Sequence, residues 1–239
     1  MRILLFGYGR MGKAIEKIAK ERGNEVSHII SLDNRSDLEQ ITKEDTDVVI
    51  EFTQPESGFD NIMDCLKKGI PVVSGTTGWL DKLDQVHQAA LDNNTAFFYA
   101  SNFSVGVNLF FALNEQLAKL MNNFGDYNID MEEIHHIHKL DAPSGTAITL
   151  AEGVYDNVDR KSAWSLEKEE QNTDIAIKAV REGEVPGTHL VNYRSEIDTI
   201  EIKHTAHNRQ GFALGAVLAA EFLNGRQGIF GMNDLLKIK

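Results

Sequence analysis

The chain opens on an apolar run, Arg2-Ile3-Leu4-Leu5-Phe6, which Gly7 stops, and the next apolar positions, Ala14, Ile15, Ile18 and Ala19, fall at helical spacing. This pattern predicts a strand, a glycine turn and a helix over residues 13–22. Gly23 ends that helix and a second strand follows over residues 25–32. The alternation then repeats. Strands are predicted over residues 47–52, 71–74 and 96–100, separated by a helix that starts at Gln54-Pro55 and ends at Lys68 and by another over residues 80–91. Strand and helix in strict turn call for a parallel, doubly wound α/β sheet.

From Ser101 the texture changes. Residues 105–121 form a long predicted helix with apolar Leu109, Phe110, Leu113, Leu117 and Leu120, and strand-like stretches follow at residues 127–137, 174–180, 189–193 and 197–204. Several of these alternate in polarity. With one helix among them at residues 145–155 and a polar loop at 168–173, they suggest a second, α+β domain with a mostly antiparallel mixed sheet. A last apolar helix over residues 212–223 could pack on either domain. The chain has no internal repeats and no low-complexity tracts.

Composition narrows the field of partners. The 239 residues are 42% hydrophobic and 25% charged, which fits one large or two modest globular domains, and the net charge of -12 argues against nucleic acid or an anionic membrane as main partner. Residues 1–35 are the basic exception, with seven Lys or Arg against four acids. The single cysteine, Cys65, cannot form an intrachain disulfide and suits a reducing compartment, so a cytoplasmic location is expected. No apolar run approaches the roughly 18 residues of a membrane helix, and the opening run is too short for a signal sequence.

Gly7-Tyr8-Gly9-Arg10-Met11-Gly12 lies between a strand and a helix, where a βαβ dinucleotide-binding unit needs its glycines. Gly7 permits the tight turn, Gly9 lets the backbone approach a pyrophosphate, and Gly12 lets the helix pack close to the strand. The helix N-terminus then faces the anion. Asp33, about 20 residues beyond Gly12, stands where an acid holds the adenosine ribose hydroxyls. Arg10 and Arg35 could instead favour a 2′-phosphate, so NADH and NADPH are both open. The expected first half is a Rossmann-like domain.

The densest group of titratable residues is Glu132-Glu133-Ile134-His135-His136-Ile137-His138-Lys139-Leu140-Asp141, followed by Ala142-Pro143-Ser144-Gly145-Thr146-Ala147. If residues 133–139 are extended, His135 and Lys139 share one face and His136 and His138 the other. His135 and Lys139 then reach one ligand only if it spans about 13 Å or if the strand bends after His138. Pro143 makes a bend expected. Pro143-Ser144-Gly145-Thr146 opens a helix whose free N–H groups and hydroxyls suit a carboxylate or phosphate, although Ser144 or Thr146 could equally be a plain cap. Three histidines in four residues invite a metal, but strand geometry points His136 away from His135 and no H-x-x-x-H pair is present, so no metal is expected. A site for proton transfer and substrate holding is the better reading.

The string from Glu133 to Ala147 resembles the E-x-H-H-x-x-K-x-D-x-P-S-G-T-A signature of the dihydrodipicolinate (4-hydroxy-tetrahydrodipicolinate) reductase family. Similar strings run the length of the chain: Ser74-Gly75-Thr76-Thr77-Gly78, Ser101-Asn102-Phe103-Ser104, Arg181-Glu182-Gly183, Gly187-Thr188-His189 and Arg209-Gln210-Gly211-Phe212. The first glycine loop is one residue shorter than the family's G-x-x-G-R-M-G form. The resemblance implies reduction by NADH or NADPH of a small cyclic dicarboxylate in the diaminopimelate route to lysine, run by a cytoplasmic homotetramer joined through the sheets of the second domain. It implies a dinucleotide-binding domain of residues 1–103 and 209–239, with residues 104–208 binding substrate, carrying the catalytic groups and forming the oligomer contacts. By the same resemblance His135 and Lys139 are catalytic, and His136, Ser144, Gly145 and Thr146 contact substrate. Gly7, Tyr8, Gly9, Arg10, Met11, Gly12 and Asp33, with Gly75, Thr76, Thr77 and Ala100, Ser101, Asn102 and Phe103 on the nicotinamide side, bind the cofactor. Two other readings compete: a non-catalytic NAD(P)H-binding sensor, and an enzyme like aspartate or homoserine dehydrogenase.

Overall fold

The computed structural model describes residues 1–208 and 210–238, so Arg209 and Lys239, the ends of the expected returning segment, lie outside the described residues. The chain divides into one compact unit of Met1–Val105 with Gln210–Lys239 and a second of Gly106–Arg209.

In the first unit six strands pair in the order β11-β5-β4-β3-β1-β2, every pairing parallel. They are β1 (Arg2–Phe6), β2 (Glu25–Ile30), β3 (Val48–Glu51), β4 (Val72–Ser74), β5 (Ala96–Tyr99) and β11 (Gly228–Phe230). Side-chain alternation along β1 explains why helices must cover both faces. Ile3 and Leu5 join Ile50, Phe98 and the apolar sides of α1 (Arg10–Glu21) and α6 (Gln210–Leu223). Leu4 and Phe6 point the other way, into a core with Val49, Phe97, α2 (Pro55–Lys67) and α3 (Leu83–Asp92). The last apolar helix therefore belongs to this unit, where buried Ala213, Ala216 and Ala220 let it lie close against the sheet.

Strand order reverses at β1, with β2 on one side and β3 on the other. A parallel sheet binds its ligands at such a switch point, outside the carboxyl ends of the strands. The loops after β1 and β3 stand there. The second strand ends at Ile30 and not at Leu32, because Ser31 caps a 3-10 segment, Leu32–Gln40, its N–H donating to Asn34 Oδ1 at 2.8 Å. β11 and the short α7 (Met232–Leu236) escaped the sequence pattern because each is too brief to show a period.

In the second unit five strands pair in the order β10-β9-β6-β8-β7. They are β6 (Asn128–His135), β7 (Ala163–Leu166), β8 (Asp174–Arg181), β9 (Thr188–Arg194) and β10 (Thr199–Thr205). The pairs β6·β9 and β9·β10 are antiparallel while β6·β8 and β7·β8 are parallel, so the sheet is evenly mixed, not mostly antiparallel. The unforeseen edge strand β7, four residues long, adds one of the parallel pairs. Ile129, Met131, Ile177, Val191 and Tyr193 form the buried face, beneath α4 (Val105–Met121) and α5 (Gly145–Tyr155). Of the apolar residues expected on α4, Phe110 enters this core but Leu109, Leu113 and Leu120 remain exposed. The buried stripe instead runs through Asn114 and Ala118, with Asn114 Nδ2 donating to the Leu150 carbonyl at 2.9 Å.

Candidate functional site

Two clefts open at the switch point of the first unit. One of about 400 Å³ is lined by Gly9, Arg10, Met11 and Gly12 on one side and by Thr53, Gly75, Thr76 and Thr77 on the other. The second, of about 610 Å³, is bordered by Gly7, Tyr8, Asp33, Arg35, Thr53 and Asn61. Gly7 has φ +97°, and a Cβ there would lie 2.0 Å from the Phe52 carbonyl oxygen; one at Gly12 would lie 2.2 Å from the Gly7 carbonyl oxygen. The turn can close only without those side chains. Gly9 faces open space and is the N-cap of α1, with no side-chain cap and no acid in the first turn, so the first N–H groups of the helix are left for an anion. A phosphorylated dinucleotide fits these features.

Arg35 has less freedom than its sequence position suggests. Its Nε donates to Asn61 Oδ1 at 3.0 Å, its Nη2 pairs with Asp64, and the guanidinium lies 5.2 Å from the centre of the Phe6 ring. Asp33 is exposed at the cleft edge. Ala100, Ser101, Asn102 and Phe103 do not line either cleft; Phe103 is buried, packed against Phe52 and Phe98 with ring centres 5.5 and 5.8 Å away.

The second cluster is built on β6, where alternation puts Ile129, Met131, Glu133 and His135 on the buried side. Glu133 is fully buried. The Ser144 N–H donates to both of its oxygens at 3.0 and 3.1 Å, and Arg181 Nη2 donates to Oε1 at 3.0 Å and also to the Asp141 carbonyl at 2.5 Å. Burial works to raise this carboxyl's pKa, but the bonds from His189, Ser144 and Arg181 and the nearby His135 outweigh it and hold Glu133 at about 2. It is a buried anion with a full set of donors.

His135 lies beside it, 8% exposed, with Nδ1 3.4 Å from Glu133 Oε2, within ion-pair reach but outside hydrogen-bond geometry. The ring meets His189 edge to face at 5.0 Å, and a Cβ on Gly187 would lie 3.0 Å from Nε2. Burial pushes His135 down to about 4, against the pull of Glu133, so the ring is neutral at pH 7.

The strand stops at His135, three residues earlier than the expected bend, and a turn closed by the Lys139 N–H to the His136 carbonyl (3.1 Å) replaces the extended segment. The strict two-face alternation therefore ends there. Lys139 is half-buried and its ammonium is gripped by both oxygens of Asp141, at 2.8 and 2.7 Å. His136 Nδ1 is buried with no partner. Ser144 caps α5, its Oγ accepting from the Ala147 N–H at 3.3 Å and lying 3.1 Å from His189 Nε2. That hydroxyl and its N–H are both engaged inward, while Gly145 is exposed and Thr146 half-buried at the open end of the helix.

Sequence reasoning did not assign roles to Glu133, Arg181 or His189, although each falls within a recognised string. Their signal was polarity on the inward face of a strand. Glu133, His135 and His189 also bring potential metal ligands within 4.8 Å of one another, but the Arg181 guanidinium on the same carboxylate opposes a cation there.

Two family models match the chain: "Dihydrodipicolinate reductase, N-terminus" over residues 1–103 and "Dihydrodipicolinate reductase, C-terminus" over residues 106–236. A 4-hydroxy-tetrahydrodipicolinate reductase of Christiangramia forsetii is 50% identical over 236 residues, 99% of this chain and 98% of that one. Among solved structures, a dipicolinate-bound dihydrodipicolinate reductase from Paenisporosarcina sp. TG-14 is similar at a TM-score of 0.79 and 24% identity, covering 98% of each chain. A probable dehydrogenase from Thermotoga maritima is similar at a TM-score of 0.58 and 12% identity, over all of this chain and 93% of that one.

Proposed function

We infer how the site works from one premise: the chain belongs to the dihydrodipicolinate reductase family. It is an NAD(P)H-dependent reductase of 4-hydroxy-tetrahydrodipicolinate, in the diaminopimelate route to lysine. The observation that carries the mechanistic reading is that Lys139, the unpartnered Nδ1 of His136 and the open N-terminus of α5 fall on one short stretch of chain, residues 136–146.

A 4-hydroxyl still present leaves as water together with a proton from the neighbouring ring carbon, and a reduced nicotinamide held in the groove would supply a hydride to C4 of the unsaturated ring so formed. The chain's own residues do the rest. The Gly145 and Thr146 N–H groups hold one substrate carboxylate. Lys139 exchanges Asp141 for the other carboxylate, and His136 donates to the same anion. The ring must also gain a proton. His135, neutral in the free protein, becomes a donor once the substrate dianion raises its proton affinity, and Lys139 is the second donor within the cluster. Ser144, turned inward, acts on substrate through the shape of the helix end.

His135→Gln is expected to lower kcat by about two orders of magnitude. The same variant reports on the buried ring. Between its ordinary 6.5 and about 4 the unfolded chain takes up a proton at His135 that the folded chain refuses, so stability falls as pH is lowered through that window. Glu133 adds stability above about 4.5 that is lost as pH falls through about 2. Thermal unfolding of the variant should show a shallower slope from pH 6.5 to 4, and an unchanged slope with full turnover would remove His135 from both roles.

Because Arg35 is tied to Asp64 and Asn61 while Asp33 is free at the cleft edge, NADH is expected to be the better donor. Asp33→Ala should raise the KM for NADH about tenfold, the worth of one or two hydrogen bonds to ribose, and change the KM for NADPH less. Equal effects on the two would contradict the assignment. The overall reading is tested by feeding freshly made product of dihydrodipicolinate synthase to the protein and following loss of absorbance from NADH and NADPH in parallel. Silence with both would favour a sensor.

We also propose a homotetramer joined through the second unit's sheet, supported by Ile200 exposed on β10; sedimentation as a monomer would contradict it. A cytoplasmic location is supported by the single cysteine, Cys65, which stands as a free thiol. Cell fractionation that finds the protein outside the cytoplasm would overturn it. Among the described residues no helix is long and apolar enough to cross a membrane.

A further inference from the structure

Glu51 ends β3 and is fully buried at the carboxyl edge of the parallel sheet, where its strand neighbour is Ser74. An unpaired carboxylate in such a place is costly, and an apolar residue would fill the space at less expense. What offsets the cost is a ring of donors. Oε1 accepts from the Thr76 hydroxyl at 2.8 Å, the Thr53 N–H at 3.1 Å and the Thr53 hydroxyl; Oε2 accepts from the Ser74 hydroxyl at 2.7 Å. Every one of these partners is a hydroxyl or an amide.

The network continues in both directions. The Thr53 N–H also donates to Thr76 Oγ1 at 2.8 Å, which ties the loop after β3 to the loop after β4. Asn61 Nδ2 donates to Thr53 Oγ1 at 3.2 Å, and Asn61 Oδ1 accepts from Arg35 at 3.0 Å. Thr53 borders both clefts, Thr76 the 400 Å³ one, and Asn61 and Arg35 the 610 Å³ one. A single carboxyl group, whose pKa burial raises against the lowering bonds of Thr53, Ser74 and Thr76, thus gathers the hydroxyls of Thr53 and Thr76 and ties both loops where they face the groove.

We propose that Glu51 is a positioning residue for the cofactor: it sets the spacing of the loops at residues 52–55 and 75–77, and through Asn61 it joins the two halves of the dinucleotide groove. This rests on the groove being the NAD(P)H site. Leu at this position fills the space but offers no acceptor, so Thr53 and Thr76 lose the oxygen that ties the two loops.

The test titrates NADH against wild type and Glu51→Leu by fluorescence, with the KM for NADH, the KM for the dicarboxylate and the melting temperature measured on the same preparations. Glu51→Leu should weaken NADH about tenfold or more, the scale set by losing one hydrogen bond, and leave the dicarboxylate KM within about twofold. A lower melting temperature with unchanged NADH affinity would reduce Glu51 to a structural tie and overturn the proposal. If Glu51→Leu does not fold, Thr76→Val and Thr76→Ser decide. The valine should weaken NADH and the serine, which keeps the hydroxyl, should recover most of the affinity; equal affinities overturn the proposal. Because the comparison is read on binding, a wild type that binds NADH without turnover would sink the enzymatic reading and leave this one standing.

Discussion

Lys139→Met should lower kcat/KM for the dicarboxylate by about three orders of magnitude, with losses in both substrate binding and turnover. The side chain stands on a turn at the end of β6, and its ammonium meets only the Asp141 carboxylate among the contacts described above. Asp141 is itself exposed and its pKa is lowered chiefly by that lysine. In the proposed mechanism the pair is a place-holder that a substrate carboxylate replaces at little cost in solvation. Methionine keeps the length of the stem and removes the charge, so the fold should survive while one carboxylate loses its counter-ion and the ring loses a proton donor. Arginine should rescue only partly, since its planar fork places charge differently from a compact ammonium. Steady-state kinetics on the two variants measure this. A change confined to the KM for NADH would place Lys139 in the cofactor groove and contradict the assignment.

Glu133→Ala should cost about 3–5 kcal/mol of stability, the range found when one member of a buried ion pair is removed. Arg181 would lose its carboxylate, the Ser144 N–H its acceptor, and His135 and His189 the anion between them. Turnover should fall as well, because the same carboxylate fixes the start of α5 and the setting of His135. Urea unfolding of the variant measures the first effect and the coupled assay the second. Stability within about 1 kcal/mol of wild type would mean that water satisfies these groups and that the pocket is not closed around Glu133.

Much of this arrangement is legible in the sequence because each part has a period or a chemical reason. The βαβ start is visible in three glycines, and the structure shows why: at Gly7 and Gly12 a Cβ would strike a carbonyl. The string from Glu133 to Ala147 is visible because its residue types are unusual together. What sequence patterns miss is what acts over long separations. The buried Glu133 reads as one more polar residue on a mixed strand until Arg181 and His189, from β8 and β9, are placed around it. Alternation also continued on paper through Lys139, whereas the chain leaves the sheet after His135, where β9 no longer offers a partner. The apolar face of α4 was misplaced because its leucines and the stripe of Phe110, Asn114, Ala118 and Met121 fall on different sides of the helix, and the second is the one buried. Arg35 is the fourth case: its position suggests a phosphate ligand, and only the approach of Asn61 and Asp64 on α2 shows it engaged elsewhere.

In the proposed mechanism hydride passes directly from the nicotinamide to the ring of a dicarboxylate held by residues 136–146. The most direct measurement uses NADH carrying deuterium at both C4 positions, the synthase product as substrate, and mass spectrometry of the tetrahydrodipicolinate formed. A single deuterium in the product ring, with its appearance slowed by Lys139→Met in step with NADH loss, is the expected result. Product without deuterium, or NADH loss that Lys139→Met does not slow, would contradict it.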